Sequence, residues 1–198
     1  MTARPVTRIG LAAAVAGALA AALGSAGTAY ATCASISGVG NGNGCTSTAT
    51  SFAIGLGSGA TATAQGLFNG AIAVGTDAKS TATGVGNLAI AVGNPGFNRS
   101  VMAVVETDAI ANGNFNRAIA IGNGSGSAAI GTNNTAFLVG NGSDAIAAGA
   151  VPPPFVAGDN NIAVTLGNFS SASAIGEGQF AVALGDYKTA LNTVGFGL

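Results

Sequence analysis

Asn116-Arg117-Ala118-Ile119-Ala120-Ile121-Gly122 decides the fold. Large and small residues alternate along it, and the run is too short for a helix. A period of two is the signature of a strand whose faces carry different side chains. The closing glycine permits a tight corner, and Asn123 after it has the side chain of a turn residue. The same phrase recurs as Gly70-Ala71-Ile72-Ala73-Val74-Gly75, Leu88-Ala89-Ile90-Ala91-Val92-Gly93 and Phe180-Ala181-Val182-Ala183-Leu184-Gly185.

Working outward, the closing glycines keep time. Gly113, Gly122, Gly131, Gly140, Gly149, Gly158, Gly167, Gly176 and Gly185 are nine residues apart, as are Gly57, Gly66, Gly75, Gly84 and Gly93. The runs differ in character on an eighteen-residue spacing. Those before Gly75, Gly93, Gly122, Gly140, Gly167 and Gly185 are rich in aliphatics, and those before Gly84, Gly131 and Gly176 carry Ser, Thr and Ala. The expected fold is therefore all-β: a parallel β-roll or β-solenoid with about two short strands per 18-residue coil. About seven coils at the usual strand spacing make a rod of roughly 30–35 Å. Each coil leans on its neighbours, so the ends need caps.

Ile72, Val74, Ile90, Val92, Ile119, Ile121, Phe137, Val139, Val164, Leu166, Val182 and Leu184 are expected to point inward. Ala73, Ala91, Ala120 and Ala183 then line a flat outer face, suited either to water or to self-association with other copies, as a trimer or another oligomer. Two places break the rhythm. From Gly93 to Gly113 the chain runs two residues longer than two units, with the excess placed at residues 94–99. Pro152, Pro153 and Pro154 cannot donate ladder hydrogen bonds and mark an edge or a loop, although nine-residue spacing is kept across them.

Residues 1–31 read as a signal-peptide helix. Arg4 and Arg8 form a basic start, residues 9–23 are apolar, and Ala29-Tyr30-Ala31 is a cleavage signature that places the cut between Ala31 and Thr32. The apolar stretch is shorter than the ~20 residues of a spanning helix, and no membrane span is expected in the mature chain. A secreted or cell-envelope location follows. Cys33 and Cys45, the only cysteines, are expected to form a disulfide. The expected organisation is a signal peptide at 1–31, a disulfide-closed N-terminal cap at 32–50, and a β-roll of nine-residue half-coils at 51–198.

Only 7% of the residues are charged, against roughly 25% in ordinary soluble domains. Beyond residue 31 the chain keeps Lys79, Arg99, Arg117 and Lys188 against seven acids. Such a chain lacks the basic patch that nucleic-acid binding draws on. It has no histidine, which removes the commonest general base and metal ligand. Glu106 and Asp108 are the closest acids and read as a solvated pair rather than a catalytic dyad. The nonapeptide period lacks the repeated aspartates of calcium-binding rolls. Thr61/Thr63 and Thr81/Thr83 begin a threonine array that soon stops. No enzyme activity, cofactor or metal is expected. Phe97, Arg99, Phe115, Phe155 and Phe169 lie near loops and are the candidate contact residues.

A family resemblance rests on Ala53-Ile54-Gly55, then Ala60-Thr61-Ala62-Thr63-Ala64-Gln65-Gly66, then Ala71-Ile72-Ala73-Val74-Gly75, then Ser80-Thr81-Ala82-Thr83-Gly84. This alternation resembles the head repeats of trimeric autotransporter adhesins (the YadA-like head). The resemblance implies a left-handed parallel β-roll that trimerises and acts by surface contact. The Ala/Gly bias and compact signal segment are also similar to those of small exported actinobacterial, particularly mycobacterial, proteins. The expected function is a non-catalytic, adhesin-like or structural repeat protein meeting a host or envelope surface ligand. The alternative is a secreted glycan- or ligand-binding module.

Overall fold

In the computed structural model, the described residues are 32–41, 43–98, 100–149 and 159–193. The expected signal segment, the residues before the Ala31/Thr32 cut, Arg99 and Phe155 lie outside them. The chain begins with β1 (Thr32–Ile36), β2 (Val39–Gly40), β3 (Cys45–Ser47), β4 (Phe52–Leu56), β5 (Thr61–Leu67), β6 (Gly70–Val74), β7 (Lys79–Val85) and β8 (Leu88–Val92). It continues with β9 (Gly96–Asn98), β10 (Ala103–Val105), β11 (Asp108–Asn114), β12 (Arg117–Ile121), β13 (Gly126–Thr132) and β14 (Thr135–Val139). The last strands are β15 (Asp144–Ala148), β16 (Ile162–Leu166), β17 (Ser171–Ile175), β18 (Phe180–Leu184) and β19 (Thr189–Thr193).

The protein is an all-β solenoid. One sheet runs β18-β16-β14-β12-β8-β6-β4-β1-β2, and a second runs β19-β17-β15-β13-β11-β7-β5-β3. The chain alternates between them, so the aliphatic-rich runs make the first sheet and the poorer runs the second. Neighbours from β4 to β18 in the first sheet, and throughout the second, pair in parallel. Most of these pairs join residues eighteen positions apart, such as Ile72 with Ile90 and Ala111 with Ala129.

The inside and the outside are exchanged relative to the sequence expectation. Ala71, Ala73, Ala89, Ala91, Ala118 and Ala120 are fully buried in the first sheet, and Ala62, Ala64, Ala82, Ala109 and Ala111 in the second. The aliphatics between them face outward. Ile72, Val74, Ile90, Val92, Ile119, Phe137, Val164 and Val182 are half-exposed, and Ile121, Val139, Leu166 and Leu184 are exposed. The reason is geometric. Strands of five to seven residues closed by short corners hold the two sheets close together, and only methyl-sized side chains fill the gap at protein packing density. Leu138 is the only large aliphatic in the fully buried cluster among the described residues. Hydroxyls also cross this thin core: Ser80 Oγ donates to the Ala89 carbonyl at 2.7 Å, Ser127 Oγ to Ala136 at 2.9 Å and Thr165 Oγ1 to Asp144 at 2.7 Å.

The corners explain the glycine period. Gly122 has φ of 138°, and a Cβ there would lie 2.1 Å from the Gly140 carbonyl oxygen. The next coil therefore leaves no room for a side chain. The residue after such a glycine was expected to cap its own bend. Instead it serves the coil before it. Asn94, Asn123, Asn141, Asn168 and Asp186 accept from the backbone N–H of Thr76, Asn94, Asn123, Asn141 and Asn168, at 2.7–3.0 Å.

At the opposite corner runs a second ladder, fully buried, of Asn69, Asn87, Asn116, Asn134 and Asn161. Asn116 Nδ2 donates to the carbonyls of Asn112 and Gly131 at 2.8 and 2.6 Å. Its Oδ1 accepts from Asn134 N at 2.9 Å, while its own N–H donates to Asn87 Oδ1 at 2.9 Å. The Asn116 amide thus satisfies backbone groups of its own coil and of the next one, at a corner closed off from solvent.

Both interruptions are corner insertions. Lys79 pairs with Asp108 and Leu88 with Arg117, twenty-nine positions on instead of eighteen. The excess is eleven residues, not two, and it holds the antiparallel hairpin β9–β10. Thr135 pairs with Ile162 and Asp144 with Ser171, twenty-seven positions on. The nine residues in excess fall between β15 and β16 in the sequence, and the proline stretch expected to interrupt the roll lies outside the described residues.

At the N-terminal end β1 turns antiparallel and covers β4. Cys33 and Cys45, both buried, are joined as a disulfide with Cα atoms 5.3 Å apart. It links the first sheet (β1) to the second (β3). Replacing both cysteines by serine should lower the unfolding free energy by about 2–3 kcal/mol. The check is a lower urea midpoint, with reductant lowering that of the wild type and leaving the double variant unchanged.

Candidate functional surfaces

The two broad faces differ in chemistry. On the second sheet the outward rows are polar at the N-terminal end, where Thr46, Thr63 and Thr81 are cross-strand neighbours. Lys79, Asp108 and Asp144 also start strands of this sheet. On the first sheet the outward rows are aliphatic and aromatic.

The β9–β10 hairpin makes a cleft of about 480 Å³ with the second sheet, lined by Lys79, Asn98, Val104, Glu106, Asp108 and Asp144 among others. Asn98 docks the hairpin, its Nδ2 donating to the Gly124 carbonyl and to Asp144 Oδ1, both at 3.1 Å. Glu106 and Asp108 both line this cleft, so the solvated-pair reading holds only in part. Asp108 Oδ1 is buried without a hydrogen-bond partner. Burial pushes the Asp108 carboxyl above the usual aspartate range, against the opposing pull of Lys79. A carboxyl raised by folding favours the folded state below its unfolded pKa and loses that contribution as pH rises through its folded value. Asp108→Asn should therefore raise the urea midpoint at neutral pH, and the gain should vanish in acid. A midpoint series across pH is the measurement.

Of the expected contact residues, the structure brings two together. Phe97 and Phe169 have ring centroids 6.5 Å apart, and Phe169 stacks on Tyr187 at 5.4 Å. With Met102 they line a pocket of about 240 Å³. Phe169 and Tyr187 hold φ of 53° and 58°, a conformation that costs a side-chain-bearing residue on the order of 1 kcal/mol. Glycines Gly124 and Gly142 hold the same corner position in earlier coils, with φ of 61°. The Phe169 ring lies over Gly142, within 2.8 Å of where a Cβ would stand. Phe115 is 60% exposed but sits at the opposite corner, between β11 and β12, apart from this cluster. Tyr187 went unnoticed in the sequence because only its corner position, shared with Phe169 eighteen residues earlier, marks it.

Among the described residues no three His, Cys, Asp or Glu side chains are grouped to hold a metal ion. Among them, too, no helix is long and apolar enough to cross a membrane. No family model, no curated protein and no solved structure matches the chain.

Proposed function

We propose that this chain is an exported, non-catalytic repeat rod of adhesin-like or structural type, working at the cell envelope or beyond by contact of its extended faces. The observation that carries this reading is the pair of extended, in-register faces, one apolar along its whole length and the other polar at its N-terminal end and mixed beyond it. Extended rows of one chemistry suit contact with another extended surface rather than capture and turnover of a small substrate. The Cys33–Cys45 disulfide supports an oxidising compartment. The basic-then-apolar segment ending at Ala31 supports export.

Fractionation of cells expressing a tagged chain tests the reading. The expected product starts at Thr32, lies in the medium or envelope, and resists thiol labelling until reduced. Recovery in the cytoplasm with free thiols would sink it. The glycan-binding alternative is favoured by one observation, the Phe97–Phe169–Tyr187 cluster. Saturable binding on a glycan array, lost in Phe169→Ala, is the result that would select it.

A further inference from the structure

In β4, β6, β8, β12, β14, β16 and β18 the first, third and fifth residues point away from the alanine core. The central outward row runs from Ile54 through Ile90 and Phe137 to Val182, each side chain beside its counterpart in the next coil. Among these outward positions Arg117 carries the single charge and Thr135 the single hydroxyl. Arg117 stands in the first row, at the sheet's margin, where its long side chain reaches water.

Seven strands of five residues span about 34 Å by about 16 Å, on the order of 500 Å² in flat projection. That lies in the upper part of the roughly 300–600 Å² spanned by the largest apolar patch of an ordinary monomer, patches that are often functional. In flat projection it is below the ~800 Å² that each partner contributes to a standard stable interface, which fits an association that reverses on dilution. The face is also made of repeating ridges at one spacing, so a second face of the same kind has matching ridges and grooves.

We propose that the aliphatic face of the first sheet is covered by a second copy of this chain. The contact surface is the one made by the half-exposed aliphatics, not the alanines, which are inside. A self-complementary pair brings like surface to like, as closed two-fold assemblies do. The inference deepens the contact reading, resting on it for the rod's general role, and leaves the second sheet free for another surface.

Sedimentation equilibrium of the purified exported chain at micromolar concentration tests it. The expected wild-type mass is a multiple of the chain's, falling on dilution. Ile119→Asp and Leu166→Lys, both pointing out of the fold, should each shift the protein to the monomer while keeping the strand spectrum in circular dichroism. Thr81→Asp, on the opposite sheet, should keep the wild-type mass. A monomeric wild type overturns the proposal, whatever the variants do. So does a Thr81→Asp variant that dissociates as fully as Ile119→Asp, or a monomer that floats with phosphatidylcholine vesicles. A monomer still recovered from the envelope would end this inference alone. An oligomer found in the cytoplasm would end the export reading alone.

Discussion

Asn116→Leu should lower the unfolding free energy by about 4 kcal/mol. The side chain is close to isosteric, so the loss is not one of volume. Leucine removes the acceptor of Asn134 N and the donor to the Asn112 and Gly131 carbonyls. Each group left unpaired away from water costs about 1–3 kcal/mol, and the Asn116 position is fully buried. The ladder passes through the middle of the rod, so relaxation by fraying from an end is blocked on both sides. A urea titration followed by circular dichroism reads the effect. A midpoint within error of the wild type would mean that water reaches this corner. Where domain stabilities are 5–15 kcal/mol, a loss of this size decides whether the chain accumulates folded.

Ala111→Leu is the second large effect, expected at about 3 kcal/mol or more. Ala111 pairs with Ala82 and Ala129, both fully buried. Three extra carbon atoms at that position have no void to enter and must push the sheets apart. Parallel pairing then transmits the displacement to the coils on either side. The contrast is Ile119→Leu, an outward position that should leave the urea midpoint nearly unchanged. Equal tolerance at both sites would contradict the alanine interior.

These two residues also mark what the sequence made legible. The coil length, the two strands per coil and the alternation of rich and poor runs could be read because corner glycines such as Gly122 and Gly140 leave no alternative residue. The direction of the faces could not. Alternation at Ala118-Ile119-Ala120-Ile121 separates two faces without saying which is enclosed, and the general preference for burying the larger aliphatics points the wrong way. Only the narrow gap between the sheets decides, and that depends on corner geometry in three dimensions. Asn116 heads the deciding stretch without a role of its own there, though its partners Asn87 and Asn134 each precede a rich run in the same way. The 94–107 insertion was undercounted because glycine spacing across it nearly closes on two units, and the one between β15 and β16 hid behind a length of nine. Of the contact aromatics, the meeting of Phe97 with Phe169 depends on where the β9–β10 hairpin folds back, which no local pattern records.

The two insertions differ in length and lie at different corners, yet the strands on either side of each keep unbroken parallel pairing. The roll therefore behaves like a ruler whose graduations are set by eighteen residues and whose decorations hang outside the scale. Copying one coil, for example residues 126–143, should lengthen the rod by one strand spacing, about 4.8 Å, with every new donor and acceptor met by the ladders already present. Length becomes a heritable quantity that can drift by whole steps without a new core having to be invented.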